Sequence, residues 1–261
     1  MKQKIIQALP PQLFVALKKW GWYGNFPNWE SAKKQTKGYE DELILNKVKE
    51  SLLKVKNGQA VYERDSVLFD KIEYSWEVLA GLMWIAAQNK GTLNLIDFGG
   101  SLGSTYFQNK SFLDSLNSVS WNIVEQSNFV KSGKENLEDD RLHFYFTIED
   151  CLNEKEINAI LFSNVLQYLD NPYEILQNAL SKNVDYILID KTSFTLNNKE
   201  RITIQKVYPH IYDTSLPCRL FAESEFLSIF TDNGYDLFLD FDSSEKTNLP
   251  SKYKGYIFKK K

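Results

Sequence analysis

The sequence predicts an α/β protein: a doubly wound sheet of seven strands, the last two forming an antiparallel pair, behind a helical N-terminal cap. Three observations predict it. From Gly91 onward, short apolar runs alternate with helical stretches, the pattern of parallel strands joined by right-handed crossovers. The last two runs, Leu237–Asp242 and Tyr256–Lys259, have only the loop Ser243–Lys254 between them, and a connection without a helix favours an antiparallel pair. Ahead of Gly91 the apolar spacing is helical.

The elements follow in order. Leu43, Leu45, Val48 and Leu52 mark a first helix, and Asn57-Gly58 opens a looser segment, Asn57–Asp65. In Val67–Ala87 the residues Leu68, Phe69, Ile72, Trp76, Leu79, Leu82, Met83 and Ile85 give a nearly all-round apolar surface, so this run reads as a buried helix. Strands follow at Leu93–Ile96, Trp121–Val124, Leu142–Phe146, Ala159–Phe162 and Tyr186–Ile189, with Asp185–Ile189 buried on both faces. Helices are expected near Leu102–Leu116, Asn128–Leu137, Pro172–Leu180 and Ser224–Asn233. The organisation is therefore a cap over residues 1–90 and a main domain over 91–261. Residues 191–222 form an insertion long enough to serve as a substrate lid.

Composition narrows the class. The 261 residues, 43% of them apolar, suffice for one core and a small cap. A net charge of −3 argues against a nucleic-acid partner, which calls for a basic face. The two cysteines, Cys151 and Cys218, have no metal-ligand spacing and fit a reducing, cytoplasmic compartment. With only His143 and His210 besides, no metal centre is expected. Met1–Trp20 carries lysines and a short apolar run broken by Pro10 and Pro11. It reads as a helix packed on the domain in preference to a signal peptide or a membrane-surface helix.

The chemistry concentrates in Leu93-Asn94-Leu95-Ile96-Asp97-Phe98-Gly99-Gly100-Ser101-Leu102-Gly103, a strand, an acid and a glycine turn into a helix. Glycines there let the backbone approach a ligand, and the helix N-terminus offers free N–H groups. Dinucleotide sites want G-x-G-x-x-G, and Ser101 breaks that pattern. An acid two residues before the first glycine suits a zwitterionic amino-acid ligand, whose ammonium it can meet while the turn amides meet the carboxylate. The next strand also ends in an acid, Glu125, placed to hold both hydroxyls of a ribose.

Asp97-x-Gly99-x-x-x-Gly103 resembles motif I of class I S-adenosylmethionine-dependent methyltransferases, with Ser101 where a central glycine is usual and Gly100 beside it. Ile160–Leu169 and Asp185–Asp190 resemble that family's fourth and fifth strands, and the C-terminal pair its reversed last strands. The resemblance covers Gly91 to the C-terminus. It implies a Rossmann-like sheet and S-adenosylmethionine held by Asp97, Gly99, Gly100, Ser101, Gly103 and Glu125. It also implies adenine contacts from Ile148 or Thr147 and from an acid or backbone group at Glu149 or Asp150, where a plain helix cap is an equal reading. A narrower resemblance rests on Tyr62–Ser66, Tyr74–Trp76, Asp97–Gly103 and Ser163–Tyr168. It points to bacterial methyltransferases of surface-polysaccharide loci and implies O-methylation of a small molecule, sugar or phosphate-linked precursor.

Candidate acceptor residues lie past the fourth strand, where Asn164 or Gln167 would orient a hydroxyl and Tyr168 would stack on the substrate. His210, within Gln205–Phe221, is a candidate general base, against the plainer reading of a surface histidine; His143 reads as structural. Asp170-Asn171-Pro172-Tyr173 comes too late after the strand and lacks a second proline, so it reads as a helix start capped by Asn171. Asp65, with Arg64, either caps the next helix or closes over the cofactor. Two other functions remain open: a nucleotide-sugar oxidoreductase using a dinucleotide, and a non-catalytic binding subunit of the same fold.

Overall fold

The structure, a computed structural model, describes residues 20–37, 41–208, 211 and 213–261. The predicted segment Met1–Trp20, except Trp20 itself, and His210 lie outside the described residues. Ahead of the main sheet come β1 (Gly21–Phe26), α1 (Trp29–Lys33), α2 (Asp41–Lys56), β2 (Tyr62–Arg64), β3 (Val67–Phe69) and α3 (Trp76–Gln88). The alternating region follows as β4 (Thr92–Phe98), α4 (Ser104–Leu113), β5 (Ser118–Val124), α5 (Ser127–Asn136), β6 (Leu142–Tyr145), α6 (Ile148–Glu154) and β7 (Ala159–Ser163). A 3-10 turn (Leu166–Tyr168) leads to α7 (Pro172–Ser181) and β8 (Tyr186–Thr195). The chain ends with β9 (Arg201–Lys206), β10 (Ser215–Leu220), α8 (Glu223–Asp232), β11 (Tyr235–Asp242) and β12 (Ser251–Lys260).

Seven strands form one sheet in the order β11-β12-β8-β7-β4-β5-β6. The pairs from β8 to β6 are parallel, while β12 runs antiparallel to both β8 and β11. The chain therefore starts at β4, winds outward through β5 and β6, then returns to β7 on the opposite side. That reversal between β4 and β7 is a topological switch point, and ligands of open α/β sheets bind outside the carboxyl ends of the strands there.

Strand alternation divides the core in two. Leu95, Ile123, Leu161 and Leu188 pack with Val78, Leu82 and Ile85 of α3 and Tyr106 of α4. Ile96, Val124, Ile160 and Ile187 face the other way, onto Leu176 of α7 and Phe226 and Phe230 of α8. Each such side chain, fully buried, stabilises the fold by about 1.5–3 kcal/mol. Among the described residues, no helix is long and apolar enough to cross a membrane.

Two predicted elements differ. The helix expected over Val67–Ala87 begins only at Trp76, because Arg64-Asp65-Ser66-Val67 closes a two-residue hairpin between β2 and β3. Asp65 and Ser66 both have positive φ, 52° and 64°, the turn geometry whose twist matches paired strands. Asp65 is therefore a turn residue, and Ser75 precedes the helix. The stretch 191–222 also carries strands among its described residues: β8 continues to Thr195, and β9 pairs with β1 on one side and β10 on the other in a second, antiparallel sheet. Segments before β4 and after β8 thus share one small layer. Its outer face packs Phe26 and Ile204 on Ala32 of α1. By alternation Trp22, Thr203, Gln205 and Cys218 occupy its inner face.

Candidate active site

Alternation also fixes which side chains crown the large sheet. Asp97 follows Leu95 by two residues, Glu125 follows Ile123, Ser163 follows Leu161 and Asp190 follows Leu188, and those four apolar residues share one core face. The carboxyl ends of β5, β4 and β7, and the middle of β8 at the level of Ser163, therefore present Glu125, Asp97, Ser163 and Asp190 in a row on that side.

The glycine turn is pressed against two of these tips. A Cβ on Gly99 would stand 2.4 Å from Val165 Cγ2, and one on Gly100 would stand 2.5 Å from the Asp97 carboxylate. Ser101 has φ 55°, so the serine found where a glycine is usual adopts a left-handed backbone at a cost on the order of 1–3 kcal/mol. The close approach itself belongs to Gly99 and Gly100, and Gly103, at φ 103°, starts α4.

Asp97 is 1% exposed and accepts a hydrogen bond from Trp121 Nε1 at 3.1 Å. Burial raises its carboxyl to about 7, the indole bond opposes that shift, and the nearby charge of Glu125 adds to it. Among the described residues no lysine or arginine pairs with it. Glu125 stands half-buried and accepts from Gln126 N at 2.6 Å.

The N-terminus of α4 already holds an acid. Glu63, buried on β2, accepts from Ser104 Oγ and from Ser66 N, both at 2.6 Å. A carboxylate is favourable at a helix N-terminus, so Glu63 ties the β2–β3 hairpin over the glycine turn.

Past β7 the backbone is again special. Asn164 has φ 54° and donates its N–H to Asp190 O at 3.0 Å. Gln167 is fully buried, its Nε2 donating to Asn164 Oδ1 at 2.7 Å and to Lys191 O at 3.1 Å. These bonds fix its side chain against Asn164 and Lys191. Asp190 is 3% exposed and accepts from Ser163 Oγ at 2.8 Å. Beside it β8 bulges: Ile189 pairs with Tyr256 and Thr192 with Lys254, so Asp190 and Lys191 together face Gly255 alone. Lys191 takes φ 48° there.

Tyr168 is half-buried, and burial holds its phenol far above the usual range, with Cys218, Tyr253 and Asp65 adding to the effect. Those partners come from β10, β12 and the β2–β3 turn, which converge on this corner. Asp65 is exposed at this corner, and surrounding protein raises its carboxyl while Arg64 and Lys191 lower it.

The residues expected at the adenine open the helix that follows β6. Thr147 caps α6, accepting from Asp150 N at 3.0 Å. Ile148 is buried in the second core, and Glu149 pairs with Lys182 at 2.6 Å, which lowers its carboxyl. The aromatic left at the tip of β6 is Phe146, 48% exposed. Pro172 does open α7, but Asn171 makes no side-chain capping bond. His143 lies 3.2 Å from Lys155 Nζ on the far strand β6. Sequence reasoning missed Glu63 and Asp190 as site residues. For Asp190 a signal existed, since it ends an apolar run as Asp97 and Glu125 do.

No protein-family model and no curated protein matches this chain. Among solved structures it is similar to the magnesium protoporphyrin IX methyltransferase ChlM from Synechocystis PCC 6803 with bound SAM. That match has 12% identity, 71% coverage of this chain, 79% of that one and a TM-score of 0.47. The N-terminal domain of EvdMO1, in the presence of SAH and D-fucose, matches at 12% identity over 85% of this chain and 98% of that one, TM-score 0.49. A SAM-dependent methyltransferase from Methanosarcina mazei matches at 12% identity over 67% and 96%, TM-score 0.46. Likeness at this level concerns the arrangement of elements alone.

Proposed function

We propose that this chain is an S-adenosylmethionine-dependent methyltransferase acting on a hydroxyl of a small molecule or saccharide. The observation that carries the reading is Asp97: a buried carboxylate with no cationic partner among the described residues, under a turn with no room for a Cβ at Gly100. Such a group weakens the fold unless a ligand neutralises it. The methionine ammonium would supply that charge, Glu125 would hold the ribose hydroxyls, and the amides of the turn would meet the carboxylate. Phe146 stands at the next tip, where a flat adenine would stack on it. When bound, the cofactor supplies an electrophilic methyl on a sulfonium. The protein's share is then to orient the acceptor, exclude water and take a proton.

The acids also weigh against a dinucleotide. A pyrophosphate belongs at the α4 N-terminus, where the Glu63 carboxylate sits 2.6 Å from Ser104 Oγ with Asp97 and Glu125 nearby. Three carboxylates disfavour a doubly charged pyrophosphate and suit a ligand whose ammonium and sulfonium outweigh its single carboxylate. A non-catalytic subunit would have no use for the cost of Asp97. The saccharide assignment rests on the narrower sequence resemblance. Calorimetric titration of Asp97→Ala and Glu125→Ala with S-adenosylhomocysteine tests the reading. Each variant should bind at least about tenfold more weakly, with its circular dichroism unchanged. Unchanged affinity in both overturns it.

A further inference from the structure

We propose that the acceptor is an uncharged polyhydroxy compound bound over the tip of β7 and the bulge of β8 beneath the small sheet, and that Asp190 takes its proton. This rests on the methyltransferase reading. The order of strands gives the direction. Glu125 on β5 and Asp97 on β4 are assigned to the cofactor, and the strands beyond β4 on the side away from β5 are β7 and then β8. At about 4.8 Å per strand, Asp190 stands roughly 10 Å from the line of β4. It projects on the same side of the sheet as Asp97.

Asp190 has the marks of a working group. It is buried, it accepts from Ser163 Oγ, and no cation lies within ion-pair distance among the described residues. It sits in a β-bulge between two non-glycine residues of positive φ, Asn164 across the ladder and Lys191 beside it. Bulges and left-handed backbone of this kind collect at functional sites.

Several chain segments meet at this corner. β10 packs on both β8 and the 3-10 turn, and Lys191 and Glu245 act electrostatically on both Asp65 and Asp190. The inner face of the small sheet roofs the corner through Cys218, with Trp22 and Gln205 paired in register beside it. Gln205 Oε1 is buried without a hydrogen-bond partner among the described residues. The groups include three carboxylates and an amide oxygen as acceptors, and Arg64, Lys191 and the buried Trp22 Nε1 as donors. Acceptors call for a ligand rich in donors, and they repel phosphate and carboxylate. Lys191 and Arg64 already supply cations among the carboxylates, which leaves hydroxyls, both donors and acceptors, as the matching groups of a ligand. Among the described residues no three such side chains could hold a metal ion.

In the step, the acceptor oxygen forms the new O–C bond with a lone pair and gives its proton to a carboxylate oxygen of Asp190. The electron pair of the broken C–S bond stays on sulfur. One positive and one negative charge disappear together, which a dry site favours.

The test uses the whole chain loaded with S-adenosylhomocysteine and saturation-transfer NMR against methyl hexopyranosides, glucosamine and glucose 6-phosphate. Methyl transfer from labelled S-adenosylmethionine is followed on the same panel. The uncharged glycosides should show saturation transfer and receive methyl. Asp190→Asn should keep its S-adenosylhomocysteine affinity within about threefold and keep the glycoside signal, while transfer falls about 100-fold or more. Should that variant not fold, Ser163→Ala should slow transfer about tenfold. The proposal is overturned if only the phosphate or only the amine binds, or if no glycoside binds while S-adenosylhomocysteine does. It is equally overturned if Asp190→Asn, or Ser163→Ala in its place, transfers at the wild-type rate. Failure of S-adenosylhomocysteine to bind removes the underlying reading instead, and this proposal with it.

Discussion

Gly100 lies directly against the carboxylate of Asp97: a Cβ at position 100 would stand 2.5 Å from Asp97 Oδ2. The turn and the acid beneath it are therefore one unit, and neither tolerates bulk between them.

Gly100→Ala should displace that carboxylate. The expected cost is about 1–3 kcal/mol of stability, as for other overpacked sites. S-adenosylhomocysteine affinity should fall at least about tenfold with it, because the displaced acid is the ligand's partner. Urea unfolding and calorimetry check the two effects separately.

Asp97 also makes two pH predictions. In the folded chain its carboxyl is raised to about 7 from the ordinary 3.8, so the folded state holds this proton more tightly than the unfolded one. The resulting stability is present below about pH 4 and is lost as pH rises through about 7, a loss on the order of 4 kcal/mol. Asp97→Asn should remove this slope, so the variant gains on wild type between pH 5 and 8 in urea melts. Parallel profiles would contradict the assignment. Binding of the ligand's ammonium needs the ionised form, so wild-type affinity for S-adenosylhomocysteine should fall about tenfold per unit below pH 7.

Trp121 lowers the Asp97 carboxyl through its 3.1 Å indole bond. Trp121→Phe removes that bond. The pH midpoint of S-adenosylhomocysteine binding should move upward. The buried hydrogen bond and the smaller ring together should cost about 2–4 kcal/mol.

Glu63 joins the hairpin to α4 through two 2.6 Å bonds. Glu63→Gln leaves one acceptor where two are needed and turns an amide towards a donor. Stability should drop about 1–3 kcal/mol, and protease cleavage within 60–75 should become faster.

Much of the main sheet was legible in the sequence because its signals are local. Each parallel strand is a short apolar run, and Asp97, Gly99 and Gly103 stand in a spacing that demands a turn. The missing helix between Asp242 and Ser251 marked the antiparallel pair. What escaped was non-local. β1 pairs with β9 across some 180 positions, Gly21 with Lys206, and no periodicity within either segment announces its partner. The β2–β3 hairpin escaped because Asp65 and Ser66 form its turn without a glycine, while the apolar residues after them mimic a helix stripe. In the site, Asn164 was legible as a candidate by its place past the fourth strand, but its positive φ and that of Lys191 were not, because left-handed backbone at such residues leaves no mark in composition. Glu63 meets Ser104 only in the folded chain.

The central claim is that the Asp97–Glu125 site takes S-adenosylmethionine. Calorimetric titration of the wild-type chain with S-adenosylhomocysteine, beside reduced nicotinamide dinucleotide as control, tests it most directly. Saturable one-to-one binding of S-adenosylhomocysteine alone is the predicted result. Binding of the dinucleotide alone, or of neither ligand, would contradict it.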